Sequence, residues 1–210
     1  MTSDVAADYR VIADGFLARV RATPPEGWGA PSPCRGWSAR DVVAHLVNGH
    51  RGILFLAGGP PPAPADGVGS GPMSGAPQVA PGADLAVAFG RARDDMLAML
   101  ADPDRRAIRM PFGPMGAVPV ADAVAVIGSL EVLVHTWDLA RATGGDEALD
   151  PAQVERTLRA ATPHAAGLVA TGAFDPPVPA PHGADAQTRL LCFAGRSPGG
   201  CGSVGGHDQG

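Results

Sequence analysis

PVADAVAVIGSLEVLVHTWDLARAT, residues 119 to 143, is the stretch on which the reading of this chain turns. No charged side chain occurs from Ala123 to Leu130; then Glu131 appears, with His135 four residues on. On a helix, positions i and i+4 share a face, about 40° apart around the axis. Val120, Val124, Ile127 and Gly128 fall on the same stripe, so a carboxylate and an imidazole project where apolar residues point. A carboxylate so placed is costly unless it is paired or coordinates a metal. A second histidine from another helix would complete a three-ligand divalent-metal site. Taken alone, the E-x-x-x-H spacing is a weak signal, because a satisfied polar pair in a core helix looks the same.

Composition narrows the classes. A chain of 210 residues is long enough to bury a core as one domain, and 45% hydrophobic residues fits a globular protein. All 16 basic residues are arginine, which together with the Ala, Gly and Pro excess suggests GC-rich, actinobacterial-type coding. The formal charge of -5 argues against a nucleic-acid partner. Cys34, Cys192 and Cys201 are odd in number and lack C-x-x-C spacing, so neither a disulfide framework nor a cysteine zinc site is expected. The start, MTSDVAADYR, is no signal peptide, and no apolar run stands out as a membrane span. A cytoplasmic location without membrane contact is the expectation.

Outward from the central stretch, periodicity predicts helices. Residues 4 to 22 carry Val5, Tyr9, Ile12, Phe16 and Val20 on one face. Ser38 and Asp41 form a capping-box start for a helix to about Leu56, with Val42, Leu46, Gly49, Ile53 and Leu56 on its inner arc. His45 sits within that arc, and His50 on its flank is a weaker candidate. Asp84 to Ala101 is a third helix, with Leu85, Phe89, Ala92, Met96 and Leu100 inward. Residues 57 to 83 are a Pro/Gly-rich excursion, residues 107 to 118 a small β-hairpin, and Pro119 opens the central helix that stops at Gly144. A helix from Asp150 to about Thr171 comes next, then a short one over 185 to 194. Residues 3 to 196 read as one domain and 197 to 210 as a disordered tail. Cys34 reads as a reactive thiol or a ligand or, the preferred reading, as a small buried side chain closing the bundle end, and Trp137 reads as core.

The segments SPCRGWSARDVVAHLVNGHR and LEVLVHTWDLARATGG, with FDPPVPAPHGADAQTRLLCFAGRSP near the end, resemble the metal-binding domain of the mycothiol-dependent maleylpyruvate isomerase family. That family lies within the DinB-like superfamily of helical metalloproteins. The resemblance implies an all-α, up-down four-helix bundle with a metal, usually zinc, held by His45, Glu131 and His135. Nickel and iron(II) suit the same donors. Three protein ligands leave an open position, which in thiol-dependent relatives is taken by mycothiol or a similar thiol. Asp138, one turn past His135, reads either as a hydrogen-bond partner to a ligand or as a surface charge paired with Arg141 or Arg35.

The isomerases of that family carry a further C-terminal domain, and this sequence ends in a glycine-rich tail. Fold and metal site are therefore expected to carry over, and maleylpyruvate as substrate is not. The expectation is a metal-dependent thiol transferase or isomerase acting on a small electrophile. The alternatives are a non-catalytic metal-binding bundle with a structural or ligand-sensing role, and a metal-free polar cluster. Oligomeric state stays open, a homodimer included.

Overall fold

The structure, a computed structural model, describes residues 4–60, 79–112, 116–170, 172 and 174–199. Most of the 57 to 83 excursion (61–78), the hairpin tip (113–115) and all but the start of the expected tail (200–210) lie outside them.

Helix α1, Val5–Ala22, begins where the Asp4 carboxylate accepts the amides of Ala6 and Ala7. Helix α2, Ala39–Leu56, begins on the expected reciprocal box. The Ser38 hydroxyl accepts the Asp41 amide at 3.3 Å and the Asp41 carboxylate accepts the Ser38 amide at 2.9 Å. Helix α3, Leu85–Ala101, is capped by Asp84. The sequence reading passes over the short helix α4, Pro103–Ala107, although Asp102 before a proline is a capping signal. Strands β1, Arg109–Pro111, and β2, Ala117–Pro119, pair antiparallel with Met110 opposite Val118. The hairpin is where the spacing predicts it.

Helix α5 runs Val120–Thr143 and ends at Gly144 in the left-handed conformation, φ +68°. It is not uniform. Val124–Gly128 forms a π turn, with the Ser129 amide reaching back to the Val124 carbonyl. The Ser129 hydroxyl donates to the same carbonyl at 3.0 Å. Each π turn admits one extra residue and rotates the helix beyond it. Glu131 and His135 both lie past this turn, in the regular segment Ser129–Thr143, so their i,i+4 relation survives. The helix expected over 150 to 171 is broken. Helix α6 spans Pro151–Ala161, a 3-10 turn covers Thr162–His164, and α7 spans Ala165–Ala170. Pro163 is the cause, because it has no amide hydrogen for the ladder. Helix α8, Ala186–Phe193, closes the described chain.

Helices α1 and α2 each pack against both α3 and α5, so the four long helices form the four-helix bundle expected from the sequence. Tyr9, Ile12, Phe16 and Val20 of α1 meet Leu85, Phe89, Ala92, Met96 and Leu100 of α3 in one core. Phe16 and Phe89 pack edge to face at 4.6 Å. By length and composition α5 could cross a membrane, but 67% of its window is buried inside the protein. Its apolar surface goes to the core.

His50 belongs to this core rather than to any site. Its Nδ1–H donates to the Leu46 carbonyl at 2.6 Å, and its Nε2 accepts the Tyr9 hydroxyl. Burial pushes its pKa down from 6.5 to about 4, so the folded state holds it neutral. The unfolded chain protonates first as pH falls. The contribution of neutral His50 is therefore complete above about pH 6.5 and lost between there and about pH 4, on the order of 3 kcal/mol. Urea unfolding at stepped pH should show a flatter dependence over this window in His50→Gln than in the wild type. Equal slopes would place the titration elsewhere.

Candidate metal centre

The site forms where the start of α2 meets the middle of α5. The approach to α2 is a tight turn, Cys34-Arg35-Gly36-Trp37, closed by the Trp37 amide on the Cys34 carbonyl at 3.0 Å. Gly36 sits third with φ +80°, the position of a type II turn where a side chain is strained. The Ser32 amide bonds the Trp37 carbonyl at 2.9 Å, and the Ala39 amide bonds Ala30 at 2.9 Å. The turn is thereby pinned to the helix start, with Cys34 and Trp37 beside α5.

His45, two turns into α2, meets α5 across the interior. Its Nε2 lies 2.8 Å from Glu131 Oε2, and His135 Nε2 lies 3.4 Å from the same oxygen. The three donor atoms all lie within 4.8 Å of one another. The His45 and His135 rings are 5.0 Å apart, edge to face. Trp37 covers both, its ring 4.7 Å from His45 and 6.1 Å from His135. Exposure falls steeply inward: the His45 side chain is 32% exposed, Glu131 16% and His135 6%. The cluster opens on the His45 side.

Behind His135 lies a second layer. Its Nδ1 donates to Asp138 Oδ2 at 2.9 Å, and Asp138 is fully buried. Arg196 reaches the same carboxylate from the far end of the chain, with Nε 3.0 Å from Oδ1 and Nη2 2.9 Å from Oδ2. The Cys34 thiol completes the group, 3.2 Å from both Asp138 Oδ2 and Arg196 Nη2. Of the two sequence readings of Asp138, the contact with His135 is the one observed. Arg141 bonds Glu147 and lies over the Trp137 ring instead.

These contacts set the electrostatics. Burial alone would raise the Glu131 pKa, but hydrogen bonds from His135 and His45 outweigh it and bring it down to about 2. Burial opposes ionisation of Asp138 too, and His135 with Arg196 brings it to about 2. Burial would lower His135, yet Asp138, Cys34 and Glu131 together hold it well above the ordinary histidine value. An imidazole clamped between two carboxylates binds a cation at Nε2, and a proton and a metal ion compete for that place.

Among the described residues two groups have donors close enough for a metal: His45, Glu131 and His135, and Cys34, His135 and Asp138. In the second group the Arg196 guanidinium already supplies the positive charge, bonding Asp138 and Cys34 at 2.9 to 3.2 Å. In the first, among the described residues, Glu131 is paired with the two histidines and with no arginine. The residues present fit a metal there. Nδ1 of His135 is committed to Asp138, which leaves Nε2 as the ligand atom, the arrangement by which carboxylates orient metal-binding histidines.

Cys34 and Arg196 are the residues that sequence reasoning misplaces or omits. Cys34 is only half-buried and touches the Asp138 cluster, so it is not merely a filler at the bundle end. Its signal was the tryptophan three residues on, in a loop feeding the ligand helix. Arg196 has no local signal.

These features define a helical bundle with a three-donor site between two helices. Residues 9–140 match the family model described as the mycothiol maleylpyruvate isomerase N-terminal domain, and the chain belongs to that family. Two relatives are uncharacterized proteins of Mycobacterium tuberculosis, from strains CDC 1551 / Oshkosh and ATCC 25618 / H37Rv. Each is 30% identical over 150 residues, covering 70% of this chain and 72% of the relative. No solved structure matches.

Removing Asp138 should expose how the second layer is held. Asp138→Ala strands the Arg196 guanidinium, whose side chain is 11% exposed, and should cost about 3–5 kcal/mol in urea unfolding. The pair Asp138→Ala/Arg196→Met should be more stable than Asp138→Ala alone. If the second substitution restores nothing, the ion pair is not buried as described.

Proposed function

We propose that this protein binds one divalent metal, zinc by preference, through His45, Glu131 and His135. We propose further that it acts in the cytoplasm as a metal-dependent transferase or isomerase using mycothiol or a similar low-molecular-weight thiol against a small electrophile. The observation that carries this reading is the convergence of three donor atoms within 4.8 Å on an interior carboxylate, in a chain whose family is described by a mycothiol-dependent isomerase.

Each residue has a role that its surroundings support. Glu131 is ionised at neutral pH, with its pKa near 2, and supplies the single negative charge among the ligands. His135 is held by Asp138 at Nδ1 and presents Nε2. His45, from the other helix, is the most exposed of the three and borders the approach. Trp37 lies against both imidazoles, stacked on His135 and tilted against His45, and shields that side from water. Two neutral imidazoles and one carboxylate would leave a bound divalent metal with about +1 net charge, and three protein donors would leave room for a further ligand, so the site would favour a thiolate at neutral pH.

Elemental analysis of untagged protein tests the first half: about one equivalent of zinc or nickel should be found, and Glu131→Ala should lose it while keeping its helical circular dichroism. Metal absent from both would sink the reading. Cobalt substitution tests the second half. The visible spectrum should shift on adding a low-molecular-weight thiol, because an open position accepts it. A spectrum indifferent to thiol would point to a closed, structural metal.

A further inference from the structure

The chain beyond residue 140 lies outside the family match, yet it delivers a side chain into the second layer of the site. We infer that Arg196 is a positioning residue for the metal centre, set in place by the C-terminal arm of this chain. The inference rests on the metal reading proposed above.

The arm is anchored independently of the site. Helix α8 packs on α6. Gln187 accepts the Leu149 amide at 2.9 Å and donates to the Glu147 carbonyl at 2.9 Å, tying α8 to the segment just past α5. Arg189 pairs with Glu155 of α6, and the Val178 amide bonds the Cys192 carbonyl. The end of α8 is a Schellman turn: the Arg196 amide returns to Leu191 at 2.8 Å and the Gly195 amide to Cys192 at 3.1 Å. Gly195 has φ +76°, and a Cβ there would lie 2.6 Å from Asp175 Cβ. Only glycine fits, and the reversal it permits sends the Arg196 side chain back toward α5.

Once there, the guanidinium is spent on the protein. Nε and Nη2 grip both oxygens of Asp138, Nη2 also touches Cys34, and Nη1 bonds the Ala194 carbonyl. So committed, Arg196 acts on the site through Asp138 rather than on a substrate. Two-point binding fixes the plane of the Asp138 carboxylate, which fixes the Nδ1–H of His135 and hence the direction of Nε2. Lysine could replace the charge but not the planar fork. The far terminus of the chain thus orients a ligand on the central helix.

Zinc affinity, measured by competition with a chromogenic chelator at a temperature where every variant is folded, tests this. Arg196→Met should bind zinc about 10–100-fold more weakly and shift the visible spectrum of the cobalt form. Arg196→Lys should recover only part of the loss. Gly195→Ala should weaken binding in the same direction while removing no polar atom. A merely structural arginine would lower the melting temperature and leave affinity and spectrum unchanged, and that result overturns the inference. Should Arg196→Met fail to fold, Arg196→Lys, which keeps the buried charge of Asp138 paired, carries the test. Zinc binding weaker than wild type in that variant supports the role, and wild-type affinity refutes it. A wild type that takes up no zinc brings down the metal reading and this inference together. Equal zinc affinity in wild type and Arg196→Met brings down only the inference.

Discussion

Two carboxylates on the long, apolar helix α5 set the terms for everything around them. Glu131 and Asp138 sit seven residues apart on α5, one on each side of His135, and both are kept ionised with pKa values near 2. Burying one unpaired carboxylate costs more than a typical protein can spare. The structure meets this with cations and donors drawn from every direction: His45 from α2, His135 between the two, Arg196 from the C-terminal arm, and the thiol of Cys34. Take away the carboxylates and these contacts have no reason to exist.

The two halves of the cluster are balanced differently. On the inner side Asp138 meets a permanent cation, because an arginine stays charged at any accessible pH. On the outer side, among the described residues, Glu131 is paired with the imidazoles of His45 and His135. One carboxylate is therefore held by a permanent cation and the other by two imidazoles. That asymmetry separates the group at Glu131 from the group at Cys34, although both have donors within 4.8 Å. The gradient of exposure runs the same way, from buried Asp138 to the partly open His45.

Legibility in the sequence tracks the range of the interactions involved. Glu131 and His135 were legible because one helical turn relates them, and the capping box at Ser38 and Asp41 because it is local. The stripe Tyr9, Ile12, Phe16 and Val20 comes from periodicity alone. The π turn at Val124–Gly128 was not legible, since a Val-Ala-Val-Ile-Gly run carries no mark of an i+5 bond. Pro163 is a signal in plain view that the reading of one helix from Asp150 to about Thr171 passed over. Arg196 lies 58 residues from Asp138 and Cys34 lies 104. Joining them takes a type II turn at Gly36, a Schellman turn at Gly195 and the docking of α8, none of which periodicity reports.

The placement of the donors also bears on how metal binding couples to folding. In small metal-dependent domains the ligands lie on segments too short to fold alone, so metal binding supplies the folding free energy. Here His45 and Glu131 stand on helices of 18 and 24 residues whose other faces pack into a core of Phe16, Phe89, Met96, Leu100 and Leu130. That core does not involve the donors, and the cap at Ser38 and the turn at Gly36 are closed by backbone groups, the Ser38 hydroxyl and the Asp41 carboxylate. The scaffold therefore holds the donors close by itself, joined by mutual hydrogen bonds. Were a metal bound as proposed, the free energy of binding would go to displacing a proton from His135 and breaking the His45–Glu131 bond, not to ordering the chain. Affinity would then be set by how firmly each imidazole is aimed, which would make the contacts behind the donors as consequential as the donors themselves.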